Sequence, residues 1–400
     1  MRVLVLTHRL PYAPNRGDRV RAYHVLQMLK TKVDLELVSF VHDAEEASHG
    51  NEVRAFVPQV TTLMVPELRK YGRAMSALAH QTPLTHALLD APDMTSTLRR
   101  ICAKRRPDVV LAYCSGMARF ALEPPLDEVP FVLDFVDVDS QKWRDLARTA
   151  TVPLAWLYRR EAETLGAFEA RAATRAKAAL VVNGREAAIA RALAPEANVV
   201  VMQNGVDADR LAPAGPPADN ARVVFCGVMN YAPNDEGMRW FVRDTWPLVK
   251  ATRPDATLAI VGSDPTPALK ALCASDASIA VTGRVADVRP WLWESAVAVA
   301  PLRVARGVQN KVLEAIGAGL PTVITEAVAT GLPPEVACAT SVANSPASFA
   351  RHVVELLALM PEQRRERAAR GRLDSLKWES TLSQLWPLLK RASIQSQSAA

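Results

Sequence analysis

Residues Ala298–Thr325, AVAPLRVARGVQNKVLEAIGAGLPTVIT, decide the fold. The apolar run Ala296–Ala300 has the length and β-branched content of a buried strand, and Pro301 stops it. A basic, glycine-containing loop follows, with Arg303, Arg306 and Gly307. The spacing predicts a helix over Val308–Ala318, closed by Gly319 and Pro321. A second apolar run, Pro321–Thr325, reads as the next strand. Strand, loop, helix and strand make the crossover of a parallel α/β sheet. Asn310 and Lys311 fall in the helix's first turn, where unpaired N–H groups and the helix dipole favour an anion. Glu314 lies three residues after Lys311 on the same face. An ammonium beside a phosphate, and a carboxylate accepting from two ribose hydroxyls, would hold a nucleoside diphosphate. The competing reading is a solvated surface pair. Against it stands the Arg-Gly loop directly after a buried strand, at the carboxyl end where open α/β sheets bind ligands.

Four hundred residues suit two domains of about 200 each. A chain that is 49% hydrophobic and 22% charged has the balance of a folded globular protein. A net charge of +6 is compatible with anionic substrates or an anionic membrane surface. It is too mild to argue for nucleic acid, and no RRM, zinc-finger or helix-turn-helix pattern supports that partner. Cys102, Cys114, Cys226, Cys273 and Cys338 show no C-x-x-C spacing. Neither a zinc site nor a disulfide framework is indicated, and the cysteines read as reduced core residues of a cytoplasmic protein. Met1–Leu6 is too short for a signal-peptide core, and no apolar run reaches the roughly 18 residues of a spanning helix. Membrane contact, if made, is expected to be peripheral on the cytoplasmic face.

The chain opens with a buried-strand pattern, Arg2–Thr7, then a loop rich in Pro, Gly and charge over His8–Arg19, then an amphipathic helix. Gly17 would let backbone approach a phosphate or sugar, or serves as a plain turn residue. The loop is not G-x-G-x-x-G, and no P-loop pattern occurs, which weakens dinucleotide and P-loop readings. Further strands are read at Leu35–Phe40, Thr61–Val65, Asp108–Ala112 and Phe131–Phe135. The last runs into Asp134, Asp137 and Asp139, carboxylates placed for acid–base or metal chemistry, or for caps and turns; Asp137 is the favoured functional member. Val152–Lys177 reads as a long helix whose charge run is a solvated face, or, with Trp156 and Tyr158, a face resting on an anionic bilayer. Strands at Ala179–Val182 and Asn198–Met202 lead to Gln203–Asp207, with its Asn-Gly turn signal. Leu211–Asn220 is the most linker-like segment.

The second half restarts in the same layout: strand Arg222–Cys226, Gly227, a loop, and a helix from about Asp235 to Thr252. Strands at Thr257–Val261 and Ile279–Val281 precede Gly283–Asp287, a turn whose backbone would meet a base edge. Trp378, Leu382, Trp386 and Leu389 make one apolar stripe on a final helix. The expected fold is two Rossmann-like domains with parallel sheets facing across a cleft. The expected divisions are a first domain over 1–207, a linker over 208–220, a second domain over 221–375, a C-terminal helix over 376–392 and a disordered tail over 393–400.

Taken in order, these residues resemble the GT-B glycosyltransferases of family 4. Gln203–Asp207 is similar to that family's NGVD segment, Phe225-Cys226-Gly227 to its F-x-G opening, and Gly283–Asp287 to its G-x-V-x-D loop. Leu313–Val323 resembles its LEAMAxGxPVV signature. The forms PYAPNRGDRVR, LDFVDVDSQKW and APLRVARGVQNKVLEA resemble sugar transferases associated with exosortase-type exopolysaccharide loci. The resemblance implies transfer of a sugar from a nucleotide-sugar donor to a saccharide or polyprenyl-linked acceptor, with retention and without metal or cofactor. It also implies an acceptor-side first domain, a nucleotide-sugar-binding second domain and a C-terminal helix crossing back to the first. It makes Glu314 the ribose-binding carboxylate, Gly17 the glycine near the diphosphate, and Val285 the base-contacting position. Asn204, Gly227, Arg284, Gly307, Asn310 and Lys311 complete the donor-binding set.

The chain departs from the family at three places, the last being that the histidine usual in the first domain is not evident. The first glutamate of the E-x7-E motif is Arg306, which cannot accept from sugar hydroxyls but can pair a phosphate or carboxylate. The Arg and Lys usual after the second domain's first glycine are absent, with Val228 and Asn234 near there. Arg306 and Lys311 are expected to supply that charge, and Asp137 to replace the first domain's histidine, so these three form the expected catalytic set. The competing functions are a nucleotide-sugar epimerase of the same fold, a dinucleotide oxidoreductase, and a catalytically silent scaffold of a polysaccharide assembly complex.

Overall fold

The computed structural model describes residues 1–12, 17–66, 72, 75, 77–78, 82–305 and 307–397. It divides into two compact units, Met1–Asn204 with Thr381–Ala400, and Gly205–Ser380.

In the first unit the apolar runs become β1 (Arg2–Thr7), β2 (Asp34–Val41), β3 (Gln59–Met64), β4 (Val109–Tyr113), β5 (Phe131–Val136), β6 (Ala178–Val181) and β7 (Val199–Val201). Among the described residues they form one sheet in the order β3-β2-β1-β4-β5-β6-β7. Every pairing is parallel, and Val3 stands in register with Leu35 on one side and Val109 on the other. β1 and β4 are buried along their whole length, which explains why they read as continuous apolar runs rather than alternating ones. Helices α1 (Gly17–Leu29), α2 (Asp139–Thr149) and α3 (Leu154–Arg175) belong to the same unit.

The second unit repeats the plan. Strands β8 (Arg222–Cys226), β9 (Thr257–Val261), β10 (Ile279–Gly283), β11 (Val297–Ala300), β12 (Thr322–Ile324) and β13 (Thr340–Val342) lie in the order β10-β9-β8-β11-β12-β13. All described pairings are again parallel. In both sheets the chain runs outward from the first strand, then returns to its other side. The reversal falls between β1 and β4, and between β8 and β11, and opens the crevice where doubly wound sheets take ligands. The second core is closed by Phe241, Trp246 and Phe349, each at most 1% exposed. The Phe241 and Phe349 rings meet edge to face at 5.6 Å. Helix α4 (Ala232–Trp240) passes through a π-helical turn, Phe241–Thr245, into Trp246–Thr252. Helix α5 (Asn310–Gly317) follows β11.

Four sequence expectations change. The segment read as a linker packs on the second unit: Leu211 is buried and its carbonyl accepts from Trp293 Nε1 at 2.7 Å. Arg364 holds the far end of the segment through the carbonyls of Ala218 and Asn220. The unit boundary therefore falls earlier, between Asn204 and Gly205. The stripe from Trp378 to Leu389 is not one helix. The short turn Trp378–Thr381 closes where the chain re-enters the first unit, between Ser380 and Thr381, and α6 (Leu385–Gln397) starts afresh in that unit. Trp378 packs against Gly205, where a Cβ would lie 2.6 Å from Trp378 Cα, and the Val206 N–H donates to Leu376 O at 2.8 Å. The segment read as a disordered tail is helical as far as Gln397.

The charge run of α3 is not a wholly solvated face either. Glu161 and Glu169 are each 1% exposed. Glu161 accepts from the backbone of Leu84 and Thr85, and Glu169 from the N–H of Ser140. A buried carboxyl group, ionised or not, needs hydrogen-bond partners, and these two find them on neighbouring segments.

Candidate functional site

The crevice between β8 and β11 is built from backbone closeness. Gly227 ends β8's run, and its N–H donates to Val261 O at 3.0 Å. Opposite it Gly262 has φ +146°, and a Cβ there would fall 1.8 Å from Gly227 O. Only glycine tolerates both the dihedral and the contact. The loops leaving β8 and β9 thus touch through main chain.

Asn234, near the start of α4, is 4% exposed and donates from Nδ2 to Val228 O at 2.8 Å. Its Oδ1 accepts from Lys311 Nζ. The same ammonium stands 4.7 Å above the centre of the Phe225 ring, a cation–π contact. Burial pulls the Lys311 pKa down to about 8, against the opposing pull of Glu314 and Cys226. Glu314 is pushed up, chiefly by burial, with Lys311 holding it down. Among the described residues no hydrogen bond to the Glu314 side chain is found. Burial drives the Cys226 thiol up to about 12, so it is inert as a nucleophile.

Helix α5 begins without a side-chain cap at Gln309 and without an acid in its first turn. Asn310 Oδ1 is buried with no hydrogen-bond partner among the described residues. An uncapped helix start, a desolvated ammonium and a carboxyl group raised in pKa by burial share one short helix. That arrangement suits an anion at the N–H groups and a hydroxyl-bearing ring at Glu314. Gly307, at φ +60°, shapes the loop before the helix, and its carbonyl sits where a Cβ on Gly331 would lie 2.3 Å away. Arg306 lies outside the described residues. Arg284 and Val285 are on the loop after β10, the sheet's edge strand, with Arg284 exposed and Val285 packed against the core.

Gly17, Asn204 and Asp137 belong to the first unit. Gly17 is the first residue of α1. Asn204 Oδ1 accepts from Arg21 Nη1 at 3.2 Å, and the same guanidinium pairs with Asp134 through Nε at 2.8 Å. Both members of that pair are 1% exposed. The three alternate aspartates therefore have separate settings. Asp134 is a buried ion-pair partner, Asp137 is exposed, and Asp139 starts α2 with its pKa raised by burial and by Asp137. Among the described residues no group of three His, Cys, Asp or Glu side chains is placed to hold a metal ion.

The structure thus brings Gly227, Gly307, Asn310, Lys311 and Glu314 onto the loops and helix around one switch point. It adds two residues that sequence reasoning gave no role, Asn234 as the hydrogen-bond partner of Lys311 and Phe225 as the ring beneath it. Their separation along the chain left no local signal.

Residues 220–359 match the family model of the glycosyl transferases group 1. No curated protein matches the chain in sequence. Among solved structures, HepE of Anabaena in complex with UDP and glucose shares 13% identity with a TM-score of 0.65, covering 98% of this chain and 100% of that one. The α,α-trehalose-phosphate synthase (UDP-forming) of Burkholderia vietnamiensis shares 14% identity with a TM-score of 0.63, over 98% and 100% of the two chains. TarM shares 9% identity with a TM-score of 0.65, over 97% and 98%. The fold is GT-B, and the family match over the second unit supports a glycosyltransferase enzyme.

Proposed function

We propose that this glycosyltransferase takes its sugar from a nucleotide-sugar donor held by the second unit and passes it, with retention, to a saccharide or lipid-linked saccharide. The setting proposed is exopolysaccharide or cell-surface glycan synthesis, on the strength of the sequence forms that resemble exosortase-associated transferases. One observation carries the donor site. The uncapped start of α5, the desolvated Lys311 and the buried Glu314 carboxyl group stand together at the β8/β11 switch point, inside the span that matches the family model. HepE, whose structures hold UDP, UDP with glucose, and UDP-glucose, supports the same class of donor.

In this reading the first N–H groups of α5 and the Lys311 ammonium meet the diphosphate, and the Glu314 carboxylate accepts from the ribose hydroxyls. The bond from the anomeric carbon to the phosphate oxygen breaks with its electron pair left on the diphosphate. The acceptor hydroxyl oxygen bonds to that carbon on the same face, and its proton passes to the departing phosphate. Fixed donors stabilise the developing charge without reorganising, which is where the rate advantage arises. Losing one such donor costs roughly 3–4 kcal/mol in comparable oxyanion sites.

Turnover of a nucleotide-sugar panel by the wild type, Lys311→Ala and Glu314→Ala tests the reading. Lys311→Ala is expected to lower kcat by about a hundredfold or more, and Glu314→Ala to raise the donor KM. Wild-type kinetics in both variants would overturn the site. Donor binding without transfer to any saccharide or lipid-linked acceptor would favour the silent scaffold, and donor interconversion without acceptor the epimerase.

A further inference from the structure

We infer that the tip of the hairpin formed by α2 and α3 is a docking surface for an anionic phospholipid bilayer. This goes beyond the donor site, because vesicle binding is measured without substrate. Val152 is 84% exposed, Trp156 62% and Leu154 49%, and Leu146 adds 39% at the end of α2. Nowhere else among the described residues do three large apolar side chains stand exposed within five positions. Single exposed apolar residues need no explanation, whereas a cluster on one projecting turn does.

The hairpin below the tip is firmly held. Glu169 on α3 accepts from the N–H of Ser140 on α2, and Glu161 anchors the segment at Leu84 and Thr85. The Trp143 and Tyr158 rings meet at 5.4 Å. Above that contact Val152, Leu154 and Trp156 are exposed.

Charge selects the occupant. Arg148 and Arg159, both exposed, stand nearest the tip against Asp145, the single acid between 142 and 159, whereas Arg144 lies further down the hairpin, its Nη2 3.1 Å from where a Cβ on Gly166 would be. Arg148, 76% exposed, makes only an exposed pair with Asp145 at 3.3 Å, which yields readily to a competing anion. The start of α3 has Pro153 at its cap, no capping side chain and no acid in its first turn, so no side-chain charge opposes the positive end of its dipole. Apolar and indole side chains at a tip flanked by the exposed Arg148 and Arg159 match a bilayer interface, with rings at the headgroup level and cations over the phosphates. A second protein surface would require apolar cover without demanding these flanking cations.

Flotation of the full chain with vesicles tests the surface. Binding is expected with vesicles one-third phosphatidylglycerol, weak with phosphatidylcholine alone, and reversed by salt. The double variant Val152→Ser/Trp156→Ser is expected to lose about tenfold or more of the binding, with its melting temperature and UDP affinity unchanged. Failure of the wild type to float with anionic vesicles would overturn the proposal. So would flotation of the variant as well as the wild type, or a variant whose only change is loss of self-association in sedimentation.

Discussion

Lys311 Nζ donates to Asn234 Oδ1 across 77 positions of sequence. The bond ties the helix after β11 to the loop after β8, because Asn234 also holds Val228 O. The two sides of the crevice are fixed to each other through one amide. The ammonium is aimed before any ligand arrives, and such preorganisation is what makes a charge effective in a transition state.

The charge of Lys311 sets a pH limit on donor binding. Its pKa is lowered to about 8, so the ammonium is present at neutral pH and lost as pH rises through that value. UDP affinity by calorimetry is expected to stay level below neutrality and to fall up to about tenfold per pH unit above 8. Lys311→Arg keeps its charge and is expected to flatten the slope. A level wild-type profile to about pH 9.5 would remove this lysine from the phosphate.

Gly227 and Asn234 give a test of positioning rather than charge. A methyl group on Gly227 would stand 2.9 Å from Asn234 Nδ2. Gly227→Ala and Asn234→Leu are therefore both expected to release the ammonium and reduce kcat/KM by about tenfold to a hundredfold, the worth of a charged hydrogen bond. Equal loss in both, with unchanged melting, is the expected pattern; wild-type kinetics in Asn234→Leu would contradict it.

The buried Arg21–Asp134 pair is expected to govern the stability of the first unit. Removing one partner strands a charge in the interior, at a cost of about 3–5 kcal/mol. Arg21→Met should lower the denaturant midpoint of that unit, and adding Asp134→Leu should recover part of the loss. Additive losses in the double variant would mean that the pair is not coupled.

Glu169 supplies a pH signature of folding. Burial raises its pKa from 4.5 to about 8, so the folded state keeps a proton that the unfolded chain has released. Its contribution is complete below about pH 4.5 and is lost as pH rises through about 8. Glu169→Gln is expected to melt with the wild type under acid conditions and above it at alkaline pH. A variant that melts lower at every pH would show that the group is ionised in the fold.

Much of the architecture was legible because parallel strands buried on both faces appear as plain apolar runs, as Arg2–Thr7 and Arg222–Cys226 do. The α5 site was legible for a related reason: strand, basic loop and helix start are contiguous, so Asn310, Lys311 and Glu314 announce each other. What stayed hidden depends on distant contacts. The Pro-rich stretch after Leu211 looks like a linker until Trp293 and Arg364 are seen holding its carbonyls. The Trp378–Leu389 stripe has helical spacing, yet it falls on two helical pieces, with Trp378 packed against Gly205. Glu161 and Glu169 look solvated because the backbone donors they serve lie on other segments, some of them far along the chain. Asn234 carried no sign that its amide belongs to Lys311.

A crystal structure with UDP bound tests the central claim most directly. The diphosphate is expected against the first turn of α5 and Lys311, with both ribose hydroxyls donating to Glu314. UDP ordered elsewhere in the protein, with that helix start empty, would contradict the account.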